Sequence, residues 1–198
     1  MKPSKAGVFL DRDGVLIEDS PNYITQVDQV RLLPGAAEAI RKLNDAGFKV
    51  VVVTNQSGVA RGLVTEAGVK RIHAHLRRLL KQVAGARIDK IYYCPFHPEG
   101  SVPRYAKPSN RRKPQPGMLL DAARDLGIDL HNSYLVGDKE SDMIAAKNAG
   151  CRAIAVLTGP DTDNWRNWLH GPPDSVARDL SEAVQWILRS HGAAEGGR

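Results

Sequence analysis

The sequence predicts an α/β fold: a Rossmann-like parallel sheet with helices on both faces and no large cap domain. Three observations carry this. Short apolar runs rich in β-branched residues recur along the chain, stretches of helical period separate them, and no inserted segment is long enough for a second domain. The runs are GVFL (7–10), KVVVV (49–53), IDKIYY (88–93), SYLV (133–136) and AIAVL (153–157), nearly continuous as strands buried on both faces are.

The helices follow in order. Residues 35–46 come after Pro34, with Ala36, Ala39, Ile40 and Leu43 at helical spacing and Gly47 as the stop. Residues 65–83 open on Thr65 as N-cap and carry a stripe of Val69, Ile72, Leu76, Leu79, Leu80 and Val83, expected to be buried. Residues 117–126 and 141–149 end at Gly127 and Gly150. Ala183, Val184, Ile187 and Leu188 predict a closing amphipathic helix, with 191–198 expected as a flexible tail. Residues 94–116 form one long irregular stretch studded with prolines, longer than ordinary loops and therefore functional, mobile or tied down. One domain over 1–198 is expected, its core over 7–190.

Composition narrows the function classes. The 198 residues are 42% hydrophobic and 25% charged, and no apolar run approaches the roughly 18–20 residues that span a bilayer. The amino terminus has no apolar segment of the secretory kind. Cys94 and Cys151 offer no disulfide framework, so a cytoplasmic protein with reduced thiols and no membrane partner is expected. The net charge of +6 favours an anionic ligand. Residues 104–113 hold five Lys or Arg but only Tyr105 as an aromatic, a poor stacking platform, so no nucleic acid is expected.

In parallel sheets ligands bind beyond the carboxyl ends of the strands, and the chemistry-bearing residues lie there. The first run ends in Asp11-Arg12-Asp13-Gly14, two carboxylates whose natural partner is a hard divalent ion. The second ends in Thr54-Asn55-Gln56-Ser57-Gly58, a hydroxyl and backbone amides suited to phosphate. The fourth ends in Gly137-Asp138-Lys139-Glu140-Ser141-Asp142, and Arg112-Lys113-Pro114 precedes a helix. Each segment alone has an ordinary reading as a polar turn, a helix start or surface charge. Together they supply nucleophile, acid, hydroxyl clamp, lysine and metal carboxylate for phosphoryl transfer.

LDRDGVL, VVTNQSGVARG, RKP (112–114) and VGDKESDM resemble the four motifs of the haloacid dehalogenase superfamily of phosphatases. NYITQVDQVRLLPGAAEAI and TNQSGVARGLVTE extend the likeness to its heptose bisphosphate phosphatase branch, with the related histidinol-phosphate phosphatases as the alternative. The resemblance implies Asp11 as nucleophile and Asp13 as general acid and base. It implies Mg²⁺ held by Asp11, the Asp13 carbonyl and Asp138, and Thr54 and Lys113 on the transferring phosphoryl group. Asp19, Asn22, Asn55, Gln56, Ser57, Arg112 and Lys139 fall where the family contacts substrate, and Asp142 is expected to orient the Lys113 or Asp138 neighbourhood. The implied partner is a small-molecule sugar phosphate; a monomer is expected.

The chain departs from the family at one place. Many relatives pin the long loop with structural zinc through Cys-x-His and a later Cys-x-Cys; here those positions read Cys94, Phe96, Ser109 and Arg111. One ligand of four remains, so a closed tetrahedral zinc site is not expected. Prolines 95, 98, 103, 108, 114 and 116 would stiffen the loop instead. A reading from another class, a non-catalytic phospholigand or nucleic-acid module, rests on charge alone and leaves the intact nucleophile and acid unexplained.

Overall fold

A computed structural model describes residues 5–160, 162–168 and 170–195. Six strands form one parallel sheet: β1 (Lys5–Leu10), β2 (Lys49–Asn55), β3 (Lys90–Cys94), β4 (Ile128–Gly137), β5 (Arg152–Val156) and β6 (Ser175–Ala177). Their order is β3-β2-β1-β4-β5-β6, so the chain runs outward from β1 in one direction, then returns to β4 and runs outward in the other. The helices are α1 (Ala36–Asp45), α2 (Glu66–Ala84), α3 (Gly117–Leu126), α4 (Glu140–Ala149) and α5 (Leu180–Glu195).

Alternate residues of the central strands feed two cores. Val8, Leu10, Val50, Val52, Val136 and Ile154 pack with Ile40 and Leu43 of α1, Leu76 and Leu80 of α2, and Val184 and Ile187 of α5. Phe9, Val51, Val53, Leu135 and Ala153 face Met118 and Leu119 of α3 and Met143 and Ala146 of α4. This two-sided burial explains why the strands read as continuous apolar runs rather than alternating ones. Helices α3 and α4 cover one face of the sheet and α1, α2 and α5 the other, and loops, including the long 95–116 segment, overlie the strand ends.

Several boundaries differ from those the sequence suggests. The strand expected at 88–93 runs over Lys90–Cys94, and β4 begins earlier, where Ile128 and Asp129 pair with Lys5 and Ala6 beside an irregularity in register. β6 carries no sequence signal: three residues pairing with the edge of β5 are too short for any period. The closing helix continues to Glu195, through half of the segment expected as a tail; 196–198 lie outside the described residues. Thr65 does cap α2, accepting from the Gly68 N–H at 3.1 Å.

Val83 breaks the predicted stripe. It is 56% exposed in the last turn of α2, next to the Gly85 cap, and His73 takes a buried place on that face instead. Leu76→Ala is therefore expected to lower the unfolding free energy by about 2–5 kcal/mol and Val83→Ser to leave it within about 0.5 kcal/mol. Urea denaturation checks both; equal losses would place Val83 in the core.

Candidate active site

The site lies where the strand order reverses, at the carboxyl ends of the neighbours β1 and β4. Asp11 follows β1 directly, its N–H bonded to the Val136 carbonyl at 3.0 Å. Asp138 follows β4, and the first turn of α4 supplies Asp142. Asp11, Thr54, Lys113, Asp138 and Asp142 are all buried, although each is polar or charged.

Lys113 holds this group together. Its Nζ lies 2.9 Å from Asp11 Oδ2 and 2.5 Å from Asp142 Oδ1, and it donates to the Val53 carbonyl at 2.9 Å. Burial alone would lower the ammonium pKa, but Asp11 and Asp142 outweigh it and hold that pKa above the ordinary lysine value. Its backbone is clamped as well: Asn55 accepts from the Lys113 N–H and donates to the Lys113 carbonyl, both at 3.0 Å.

One lysine does not balance three carboxylates. Asp11, Asp138 and Asp142 each offer an oxygen within 4.8 Å of the others, and neither oxygen of Asp138 has a hydrogen-bond partner. Burial, with Asp11 and Asp142 adding to it, pushes the Asp138 pKa up to about 8. Burial also raises Asp142, against the pull of Lys113. Two uncompensated charges among hard oxygen donors fit a divalent cation such as Mg²⁺, which satisfies groups that would otherwise be costly to bury. The backbone leaves room for Asp138: a Cβ on Gly14, whose φ is +75°, would lie 2.5 Å from its Oδ2, and one on Gly159 would lie 2.0 Å away.

Asp13 belongs to a different network. The Arg12 guanidinium grips both of its oxygens at 2.9 Å, and Gln56 Nε2 donates to Oδ2 at 3.0 Å and to Thr54 Oγ1 at 2.9 Å. Burial raises the Asp13 pKa, Arg12 opposes that, and Asp11 adds to it. Arg12 is itself 1% exposed and meets His73 Nε2 at 3.2 Å. Burial, then the charges of Arg12 and Arg77, push the His73 pKa down to about 3, so its neutral ring accepts from Arg12. The sequence reading missed both residues. The available signal was His73 itself, one residue beyond Ile72 on the apolar stripe of α2, where a polar side chain requires a buried partner.

Above these groups opens a cavity of about 540 Å³. Of the residues expected to meet substrate or phosphate, Asp19, Asn55, Gln56, Ser57, Arg112, Lys113 and Lys139 line it; Lys139 Nζ pairs with Asp19 Oδ2 at 3.0 Å. Thr54 lies beneath the surface, and the neighbours of Asn22, rather than Asn22, form the wall. Tyr23, at φ 62°, lines it without having been anticipated. Among the described residues Arg112 has no carboxylate partner; its guanidinium touches the Phe96 carbonyl at 3.4 Å.

The long loop is folded against the protein. Cys94 is a buried free thiol, and His97 Nδ1 accepts from the Glu99 N–H at 3.1 Å. The loop's basic residues cover its own neighbourhood: Arg111 pairs with Asp121 at 2.9 Å, while Arg104 and Lys107 lie over the rings of Tyr105 and Phe96. Because Gly159 leaves space for the Asp138 carboxylate, Gly159→Ala is expected to weaken divalent-cation binding about tenfold or more without unfolding the chain, a change calorimetry reads directly.

Comparison with known proteins agrees with this geometry. Residues 8–79 match the haloacid dehalogenase-like hydrolase model and residues 110–183 the HAD-hydrolase-like model. The D-glycero-D-manno-heptose-1,7-bisphosphate 7-phosphatase of Thermosynechococcus vestitus is 44% identical over 188 residues, 92% of this chain and 95% of that protein. The corresponding β-anomer 7-phosphatase of Escherichia coli K12 is 42% identical over 191 residues, 93% and 96% of the two chains. The crystal structure of D,D-heptose 1,7-bisphosphate phosphatase from B. bronchiseptica, complexed with magnesium and phosphate, superposes with a TM-score of 0.83 at 36% identity, over 93% of this chain and 99% of that one. The chain belongs to the heptose-1,7-bisphosphate 7-phosphatase family of haloacid dehalogenase-like hydrolases.

Proposed function

We propose that this protein is a magnesium-dependent phosphatase that removes the 7-phosphate of a D-glycero-D-manno-heptose 1,7-bisphosphate through an aspartyl-phosphate at Asp11, on the route to nucleotide-activated heptose. The observation that carries it is the buried Asp11–Lys113–Asp142–Asp138 cluster under a polar cavity, in a chain near full length with its relatives.

Asp11 stands at the floor of the cavity, its Oδ1 fixed by the Arg12 N–H at 2.7 Å and its Oδ2 by Lys113. A carboxylate oxygen of Asp11 attacks phosphorus in line, the bond to the sugar oxygen breaks, and Asp13 gives that oxygen its proton. A raised pKa suits Asp13 to this: at neutral pH it must hold a proton to donate. Water then attacks phosphorus, Asp13 takes its proton, and the Asp11–phosphate bond breaks to release inorganic phosphate. Lys113 and Thr54 stabilise the phosphoryl oxygens. Asp11, Asp138 and the Asp13 carbonyl would hold Mg²⁺, which would supply charge neutralisation at the phosphoryl group.

Arg112 is the substrate-facing cation, its guanidinium fork unpaired with any carboxylate among the described residues and suited to the second phosphate or to the sugar hydroxyls. A cytoplasmic site of action agrees with Cys94 and Cys151 as free, buried thiols. Protein contacts, rather than zinc, are read as ordering the 95–116 loop.

Asp11→Asn keeps the shape of the site and removes the nucleophile. Phosphate release from the bisphosphate should fall by about three orders of magnitude or more while substrate still binds. Both anomers and histidinol phosphate are assayed side by side in Mg²⁺ and after EDTA. Wild-type turnover by the variant contradicts the mechanism, and preference for histidinol phosphate contradicts the substrate.

A further inference from the structure

The two functional residues of the long loop are held in different ways. Lys113 is fixed twice over: its ammonium lies among Asp11, Asp142 and the Val53 carbonyl, and its backbone is clamped on both sides by Asn55. The Arg112 backbone is set by the Ser109 carbonyl, which accepts from its N–H at 3.1 Å, and by the Gln115 N–H, which donates to its carbonyl at 2.8 Å, but among the described residues its side chain has one hydrogen bond, Nη1 to the Phe96 carbonyl at 3.4 Å. Where the Arg112 guanidinium sits therefore depends on where the Phe96 carbonyl sits.

Phe96 packs against the edge of the core, its carbonyl also accepts from Cys94 Sγ at 3.9 Å, and a further tie to the body of the protein runs through Tyr105. The two rings pack with centroids 5.8 Å apart, and the His97 N–H, one residue on, donates to the Tyr105 carbonyl at 3.2 Å. The Tyr105 hydroxyl donates to Glu66 Oε1 at 2.6 Å, and Tyr93 at the end of β3 donates to Glu66 Oε2 at 2.7 Å. Glu66 opens α2 beside the Thr65 cap, a rigid point outside the loop. A carboxylate accepting two tyrosine hydroxyls, one from a strand and one from the loop tip, acts as a clasp.

We propose that Glu66 and Tyr105 are positioning residues for substrate recognition: they hold the 95–106 segment so that the Phe96 carbonyl fixes the Arg112 guanidinium over the cavity. Neither touches the reacting atoms, and Lys113 is anchored independently of them. The relay therefore acts on binding through Arg112 and leaves the chemical step alone. It rests on the reading of Arg112 as substrate-facing.

The test compares wild type with Tyr105→Phe, Glu66→Ala, Glu66→Gln, Arg112→Ala and the double variant Tyr105→Phe/Arg112→Ala. Substrates are the heptose bisphosphate and p-nitrophenyl phosphate, which has no second phosphate or sugar. Tyr105→Phe and Glu66→Ala should raise KM for the bisphosphate about fivefold, with kcat within about twofold and no change in KM for the small substrate. Glu66→Gln, which can still bond both hydroxyls, should fall between wild type and Glu66→Ala. In the Arg112→Ala background, Tyr105→Phe should add nothing, because the relay ends at the missing side chain. Additive effects, or a fall in kcat with KM unchanged, overturn the relay. So does an unchanged KM in Tyr105→Phe when Arg112→Ala raises it. An unchanged KM in Arg112→Ala overturns the substrate-facing role of Arg112 itself, and the relay with it. Thermal melts of each variant separate these outcomes from simple unfolding.

Discussion

Three carboxylates and one ammonium share a volume from which water is largely excluded, and much of the site follows from the charge they leave over. Asp11 and Asp142 both pair with Lys113 at the meeting of β1 and β4, and Asp138 lies beside them, its oxygens close to theirs. Like charges at that spacing in a buried setting either take up protons or take up a cation. Asp138 carries the clearest sign of the unmet demand, with both oxygens buried and unbonded. The lysine that pairs with Asp11 also lies at the floor of the cavity, where the proposed reaction places the phosphoryl group.

The proposed acid, Asp13, is kept apart from the proposed nucleophile, Asp11, by a second set of contacts. Asp13 turns toward Arg12 and Gln56, while Asp11 turns toward Lys113. Two carboxylates two positions apart thus meet different surroundings, which is how neighbouring acids come to play different roles. The neutral His73 ring behind Arg12 holds the guanidinium without adding charge.

Much of this was legible in the sequence because strand ends are a local property. Asp11, Thr54 and Asp138 each follow an apolar run, and the rule that ligands bind at those ends brings them together without knowledge of the packing. Arg12 and His73 lie 61 positions apart, and only the docking of α2 on the sheet joins them. The clasp on the long loop was hidden for the same reason: Glu66 and Tyr105 are 39 positions apart, and nothing in the local pattern of either announces the other. Prolines marked the loop as stiff, but its anchoring is tertiary. Val83 shows the converse error, where helical period continued past the part of α2 that covers the core.

The central claim is that the fold tolerates its buried carboxylates because a divalent cation completes them. Asp138, raised to about 8 in the folded chain, keeps its proton there while the unfolded chain has already lost it. Without a divalent cation, stability should fall as pH rises between about 4 and 8, because folding must take up that proton. Mg²⁺ replaces the proton, so the melting temperature in Mg²⁺ should hold steady over the same range and the gain over EDTA should grow toward pH 8. A stabilisation by Mg²⁺ that is absent, or that is largest at acidic pH, would contradict the account.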